Sequence, residues 1–249
     1  MPIHESSGPI RIVYSDDDLV VVDKPPAMLT HANSYDRGSP TVVMVLGSRL
    51  GQSIHNVHRL DRMTTGAMVL ARTRAAASEL SRQFREREVE KRYLAIVRGH
   101  LDDEGTIETP IAHATRDEER HASTDYRTIV RGKVREPIGR YGEGWFSLVE
   151  ARLHTGRTHQ ARRHLHRVNH PVIGDNKHGD KTYNRWAWAR VGEKHLFLRA
   201  RMLTFRHPAD GSPVTVRLGV PDVWLELAAL VGIEIPDEYQ RDEVLREPD

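Results

Sequence analysis

The stretch His58-Arg59-Leu60-Asp61-Arg62-Met63-Thr64-Thr65-Gly66 places a single carboxylate between two arginines. Positive charge on both sides favours the ionised form of Asp61. An ionised, oriented carboxylate is a usable nucleophile toward a sugar or an electron-poor ring. Thr64, Thr65 and Gly66 supply hydroxyls and a flexible backbone position, which is typical of a tight turn that presents a side chain. Spacing alone leaves a second interpretation open, in which Asp61 caps its own turn and the arginines are surface charge.

A basic segment lies further along the chain, over residues 151–174, and contains five arginines, five histidines and no acid. Within it, His154-Thr155-Gly156-Arg157-Thr158-His159-Gln160 opens a helix predicted over residues 159–168. Free amides at a helix start attract an anion, and the planar fork of Arg157 suits either Asp61 or a phosphate. The histidines also suggest a zinc site. This is the weaker interpretation, because the chain has no cysteine and no H-E-x-x-H pattern.

Two shorter segments carry groups suited to chemistry. Lys91-Arg92-Tyr93 begins a predicted strand, and the Tyr93 ring offers a flat face for stacking on an extruded base and a hydroxyl for proton transfer. Asp23-Lys24-Pro25 stands at a predicted strand end before a loop stiffened by proline. Taken alone, an interior tyrosine and an exposed turn lysine are equally good explanations.

Composition excludes several classes of protein. The 249 residues include no cysteine, which removes disulfides, thiolate metal sites and a cysteine nucleophile. No apolar run approaches the roughly 20 residues of a membrane span, and the first residues lack the apolar core of a secretion signal. We therefore predict a cytoplasmic protein with no membrane association. The net charge of +2 hides an acidic end over residues 237–249 and a basic body, which is the electrostatic pattern of a phosphate-backbone binder or of a solvated helix face.

The order of predicted elements indicates an α+β fold with a largely antiparallel sheet. Short β-branched runs occur in hairpin groups, beginning with residues 10–14 and 19–23, and amphipathic helices are predicted over residues 74–87 and 159–168. This order does not alternate strand and helix as a doubly wound fold does. We predict one catalytic domain over residues 10–236, with loosely ordered tails at residues 1–9 and 237–249.

The four segments that contain Lys24, Asp61, Tyr93 and Arg157, taken in chain order, resemble the RluA-type pseudouridine synthases. Asp23-Lys24-Pro25, the Asp61 segment, Lys91-Arg92-Tyr93 and Thr155-Gly156-Arg157-Thr158-His159-Gln160 match the four motifs of that family, and the resemblance runs from Ile10 to Ala229. It implies a mixed, bent sheet flanked by helices, without a preceding S4 RNA-binding domain. The nine-residue Asp61 segment is specific enough to make chance agreement implausible.

The resemblance implies an isomerase that converts uridine to pseudouridine in RNA, with no cofactor and no metal. Asp61 matches the nucleophile, Tyr93 the residue that packs on uracil and assists proton removal, and Arg157 the partner of the Asp61 carboxylate. Arg59 matches the residue that fills the space of the flipped uridine, and contacts to phosphate from Arg162, Arg163 and Arg167 would offset the cost of flipping. The residues assigned to substrate binding are Arg59, Arg62, Thr64, Lys24, His159, Gln160, Arg162 and Arg163.

Residues 162–165 and 174–180 most resemble the branch of the family that acts on transfer RNA, at uridine 65. The alternatives are the same reaction on ribosomal RNA, an RNA-binding module without catalysis, and a metal-dependent hydrolase. No obligatory protein partner is evident. The chain departs from the family pattern in Pro26-Ala27-Met28, where a glycine is usual, in Ala161, where a larger aliphatic residue is common, and in Thr65, which replaces serine.

Overall fold

The computed structural model describes residues 10–32, 36, 38–112 and 118–246. Contacts divide the chain into two compact units, the first formed by residues 1–90, 202–218 and 242–249 and the second by residues 91–201 and 219–241. The single catalytic domain over residues 10–236 stays a prediction, and the predicted tail at residues 1–9 lies outside the described residues. None of the helices in these ranges is both long and apolar enough to cross a membrane.

The secondary structure confirms the α+β class. In chain order the elements are β1 (Arg11–Ser15), β2 (Leu19–Lys24), α1 (Val42–Leu50), β3 (His55–Asn56), β4 (Thr65–Ala71), α2 (Arg74–Glu86), β5 (Glu90–Arg98), β6 (Glu104–Glu108), β7 (Ile111–Ala112), β8 (Glu119–Arg120), β9 (Ser123–Val134), β10 (Gly144–Leu153), α3 (Gln160–Arg167), α4 (Lys181–Val191), β11 (Leu198–Arg206), β12 (Pro213–Arg217), α5 (Asp222–Leu230) and β13 (Glu243–Arg246).

The first unit is built on antiparallel pairs. β2 pairs with β1 on one side and with β4 on the other, and the end of β11 pairs with β12. Leu19 lies opposite Ala71 and Val21 opposite Val69, so their side chains share one buried face. α2 covers this face with Leu80, which is fully buried, and begins at Thr73, whose hydroxyl accepts the N–H of Ala76.

The second unit holds strands in the order β5-β10-β9-β6, each pair antiparallel. Successive side chains of a strand point to opposite faces. One face contributes Leu94 of β5 and Phe146 of β10 to a core with Trp224 of α5 and Tyr183 of α4. The other face carries Tyr93, which lies opposite Ala151.

The apolar pattern of residues 57–60 predicts a strand, but this prediction is wrong, because only His55–Asn56 pair with β4. Polar side chains take the backbone groups that a strand would use. The hydroxyl of Thr30 lies within hydrogen-bonding distance of both the N–H and the carbonyl of Leu60, and the ring of His58 accepts the N–H of Val69. Local hydrogen bonds of this kind compete with a sheet ladder.

The acidic tail is ordered over residues 237–246, which differs from the loose appendage predicted there. β13 pairs with β12, and Glu243 forms an ion pair with Arg217. Arg246 donates to the Tyr14 hydroxyl at 2.6 Å and to the Asp16 carboxylate at 3.3 Å. Net acidity did not predict this order, because the two arginines of the tail make specific contacts.

Candidate active site

Asp61 lies in a turn between β3 and β4. Its carbonyl accepts the N–H of Thr64 at 3.1 Å, which closes a four-residue turn immediately before β4 begins. The Asp61 side chain is half-buried, whereas Thr64 and Thr65 behind it are buried. The turn therefore presents one partly accessible carboxylate from the start of a buried strand.

Lys24 binds the backbone of this turn. It stands at the end of β2, is fully buried, and donates to the carbonyls of Pro25, Arg62 and Thr64 at 2.9, 3.0 and 2.9 Å. An ammonium group has three N–H donors, and these carbonyls accept all three. Lys24 therefore supports the turn in this structure, and its predicted contact with substrate stays a prediction.

Burial lowers the pKa of Lys24 to about 7, and the negative charge of Asp61 opposes this shift. Arg62 lowers the pKa further. Lys24 therefore interacts electrostatically with Asp61, the predicted nucleophile, and burying its ammonium group carries a desolvation cost.

The peptide on the other side of Asp61 is fixed by Thr30, which is buried. Its hydroxyl lies 3.2 Å from the Leu60 carbonyl and 3.3 Å from the Leu60 N–H. Sequence reasoning missed Thr30, because nothing in its local pattern distinguishes it from a loop threonine. Together, Thr30 and Lys24 fix the backbone before and after Asp61.

The two arginines that flank Asp61 have different surroundings. Arg62 donates to the carbonyl of Ala27 at 3.0 Å and pairs with Asp36 at 3.2 Å, while its side chain stays exposed. Arg59 is exposed. Their substrate contacts stay predictions. The hydroxyl of Thr64 is buried and has no hydrogen-bond partner within the described ranges, so its predicted contact with substrate requires the turn to open slightly.

The backbone of Ala27 shows why the family usually has a glycine near Pro26-Ala27-Met28. It has φ of 60°, in the left-handed region where glycine is unstrained. The turn after Lys24-Pro25-Pro26 is thus one that favours glycine, formed here by alanine at some cost.

In the second unit, Tyr93 lies in β5 and is half-buried. Its neighbour across the ladder is Ala151 of β10. The structure thus places Tyr93 on the sheet face opposite the core, which suits its predicted stacking role.

The Arg157 segment is a loop clamped by Gln160. The amide oxygen of Gln160 accepts from the Thr155 hydroxyl at 2.6 Å and from the Arg157 N–H at 3.0 Å, and its amide nitrogen donates to Ser123 and Thr124. Gln160 was predicted to bind substrate. It is buried and its hydrogen bonds hold the loop, and its predicted contact with substrate stays a prediction.

Arg157 itself remains partly exposed, and its Nε donates to the carbonyl of His121 at 3.1 Å. Its two terminal nitrogens make no hydrogen bond within the described part of the chain. The pairing of Arg157 with Asp61 stays a prediction.

Arg162 is predicted to contact phosphate, and that contact stays a prediction. Arg162 is buried and forms two parallel hydrogen bonds of 2.7 Å with the carboxylate of Asp175, which also accepts the N–H groups of Lys177 and His178. Burial raises the pKa of Asp175, but Arg162 outweighs it and the net pKa lies below the usual value. The pair fixes α3 to the segment that follows it. Arg163 is partly exposed and donates to the carbonyl of Ala112.

Three of the five histidines in residues 151–174 have separate partners, whereas the rings of His159 and His166 both lie near His178. His154 contacts Asp125, His170 contacts the Arg98 carbonyl, and His164 lies between the Thr124 hydroxyl and the Thr109 carbonyl. His159 lies 3.0 Å from His178, whose pKa burial lowers to about 4. His178 is therefore neutral near pH 7, and the predicted contact of His159 with RNA stays a prediction.

One group of three potential metal ligands occurs among the residues that the structure describes, and it is Asp16, Asp18 and His207. Hydrogen bonds account for this group. The Asp16 carboxylate accepts the N–H groups of Asp18 and Leu19, the Tyr14 hydroxyl and His207. Asp16 thus acts as the cap of the turn between β1 and β2.

Comparisons with known proteins show which family the chain resembles. The sequence profile of the family described as RNA pseudouridylate synthase matches residues 18–167. The tRNA pseudouridine synthase C of Salmonella typhi is 36% identical over 234 residues, which cover 90% of this chain and 90% of the relative. The protein of the same name from Pasteurella multocida is 37% identical over 229 residues, covering 88% and 94%.

Solved structures give the same result. Human RNA Pseudouridylate Synthase Domain Containing 1 superposes with a TM-score of 0.70 at 27% identity, over 93% of this chain and 90% of that one. Human RNA Pseudouridylate Synthase Domain Containing 4 has a TM-score of 0.68 at 24% identity, over 91% and 95%, and shows the shared fold. With the profile match covering more than half of the chain, these similarities show that the chain belongs to the RNA pseudouridylate synthase family.

Proposed function

We propose that this protein converts a uridine of transfer RNA into pseudouridine, with Asp61 as the nucleophile. The observation that carries the choice of RNA is the similarity to tRNA pseudouridine synthase C, which extends over about nine-tenths of both chains. Uridine 65 is the position we expect, from the branch that residues 162–165 and 174–180 resemble.

The reaction needs one carboxylate and no external group. The bond between the ribose and N1 of uracil breaks, the base turns in the pocket, and a new bond forms from the ribose to C5. The proton lost from C5 is balanced by one gained at N1. A conventional glycosidase uses two carboxyl groups, whereas a base that is released and rejoined inside the pocket needs only the nucleophile.

The contacts around Asp61 support this role. Thr30 fixes the peptide before it, and Lys24 fixes the carbonyls of Arg62 and Thr64 after it. A nucleophile held at both flanking peptides loses little freedom when the substrate binds, which lowers the barrier. The buried Lys24 side chain also interacts electrostatically with Asp61.

Tyr93 and Arg157 complete the proposed machinery. Tyr93 packs on the uracil ring and assists removal of the C5 proton, from its half-buried position in β5. Arg157 uses its terminal nitrogens for the Asp61 carboxylate, since Nε is bound to His121. Arg59 fills the space of the flipped uridine, and Arg163 and Arg167 contact phosphate.

The test is to map pseudouridine in RNA from cells with and without this protein, and then to supply Asp61→Asn or Asp61→Ala. We expect one transfer-RNA site to disappear and neither variant to restore it, while purified variants still bind the RNA. Asp17→Asn, an exposed turn acid, is the matched control and should restore the site. Turnover by an Asp61 variant would contradict the nucleophile, and a missing site in ribosomal RNA would contradict the substrate.

A further inference from the structure

Trp145 differs from the other three tryptophans of the chain. The indole N–H groups of Trp186, Trp188 and Trp224 donate to Glu136, to the His195 carbonyl and to the His195 ring. The indole N–H of Trp145 has no partner within the described ranges, and the residue is 36% exposed. A tryptophan with a solvent-exposed ring and an indole N–H that makes no hydrogen bond is typical of a binding surface.

Two polar groups border this indole. Lys133 lies directly across the ladder from Trp145, with its Nζ 5.0 Å from the ring centroid. The ring of His100 meets the indole nearly edge-on at 4.5 Å between centroids, and its Nε2 donates to the carbonyl of Gly132. We call Trp145, Lys133 and His100 the Trp145 patch.

The charge of the Trp145 patch is positive and uncompensated. Lys133 is exposed, and no carboxylate lies within ion-pair distance of it in the described part of the chain. Two charged residues near it in sequence have other partners, since Arg131 of β9 pairs with Asp103, and Glu136, just after β9, pairs with Arg190. A lysine over an exposed indole is held only by a weak cation–π attraction, so a phosphate group that binds the ammonium can draw it away from the ring.

The register places the patch on the same sheet face as Tyr93. β5 and β10 pair without a bulge from Phe146 to Arg152, and Tyr93 lies opposite Ala151. Trp145 and Ala151 are six residues apart on β10, so both point to this face and are separated by about 20 Å. A stacked strand rises about 3.4 Å per nucleotide, so this span corresponds to roughly six nucleotides.

From these observations we propose that the Trp145 patch is a second RNA contact, where a nucleotide distant from the reacting uridine stacks on Trp145 and its phosphate binds Lys133. This rests on the proposed function, because the RNA is the substrate. A nucleotide supplies both a flat ring for the indole and an anion for the freed ammonium. An acidic peptide would supply the anion only.

The first test measures the affinity of the wild type, Trp145→Ala and Trp145→Phe for full-length transfer RNA. We expect about tenfold weaker binding for the alanine variant, the usual effect of removing one stacked base, and an intermediate loss for phenylalanine, which keeps a ring but no donor. Turnover at saturating RNA should be unchanged. Unchanged affinity for Trp145→Ala would overturn the proposal, and a fall in melting temperature without a change in affinity for either variant would make the residue structural.

The matched control for charge is Arg190→Ala. Arg190 also lies over an indole, that of Trp186 at 5.1 Å, but it is paired with Glu136. Lys133→Ala should weaken RNA binding and reduce the salt slope by about one, whereas Arg190→Ala should do neither. Equal behaviour of the two variants would overturn the proposal.

Substrate length separates this proposal from the proposed function. A short RNA of about five nucleotides centred on the target should bind the wild type and Trp145→Ala equally, because it cannot span 20 Å. A photocrosslinker at position 145 should capture RNA, and capture of a protein instead would contradict the proposal. If the wild type forms no pseudouridine in transfer RNA, the proposed function fails; if it does so and Trp145→Ala binds full-length RNA normally, only this inference fails.

Discussion

Replacing Lys24 by methionine should make the stability of the protein depend differently on pH. Burial lowers the pKa of Lys24 to about 7, against 10.5 in the unfolded chain. Between these values the unfolded chain holds a proton that the folded protein has released, so the free energy of unfolding rises with pH. Below pH 7 the full cost of burying the charge is present, and it amounts to roughly 5 kcal/mol at 1.36 kcal/mol per pKa unit.

Methionine has a similar length and no charge, so Lys24→Met removes this dependence. The stability of the wild type minus that of Lys24→Met should therefore be flat below pH 7 and rise by about 2–3 kcal/mol between pH 7 and pH 9. The assay is urea unfolding of both proteins at pH 6, 7, 8 and 9. Groups common to both proteins cancel in the difference, and Lys177→Met, at an exposed position, should show no such rise.

The result that would refute the reasoning is a difference that stays constant from pH 6 to pH 9. All three protons of the ammonium bind carbonyls, and a neutral amine would leave one carbonyl without a donor. A constant difference would mean that these carbonyls and Asp61 together outweigh burial and keep Lys24 charged.

Three further substitutions test the supports of the two loops. Ala27→Gly should raise the free energy of unfolding by roughly 0.5–1 kcal/mol, because relief of a left-handed alanine exceeds the added freedom of glycine in the unfolded chain; a loss of stability in urea would contradict the strain. Asp175→Asn should cost about 3–5 kcal/mol, since it removes the negative charge from the buried Arg162–Asp175 ion pair, and this difference should shrink as the pH falls below about 4, where the depressed pKa of Asp175 no longer stabilises the fold; a cost under about 1 kcal/mol at pH 7 would contradict the pairing. Thr30→Val should leave both polar groups of the Leu60 peptide unsatisfied and cost about 1–3 kcal/mol, with turnover reduced more than RNA affinity; normal turnover would show that the peptide before Asp61 needs no support.

The fold class and the positions of Asp61, Tyr93 and Arg157 were predictable, because hairpin patterns and specific motifs carry them. The roles of their polar neighbours were not. A buried lysine such as Lys24 and an exposed turn lysine have the same sequence signature, and so do an arginine that grips phosphate and one that is bound to Asp175 thirteen residues later. Only tertiary contacts distinguish these cases, since the deciding partners lie far along the chain or on the backbone.

Several polar residues that the sequence assigns to substrate bind backbone groups in the structure, and this difference has a physical reason. The loops of Asp61 and Arg157 lack regular secondary structure, so their backbone N–H and carbonyl groups have no ladder to satisfy them and need side chains instead. Lys24 and Thr30 do this for one loop, and Gln160 and Thr155 for the other. A segment that must present a reactive group from irregular backbone therefore requires a high density of polar residues, of which only a few face the substrate. The rest fix the loop before the RNA arrives, which removes the ordering cost from the reaction itself.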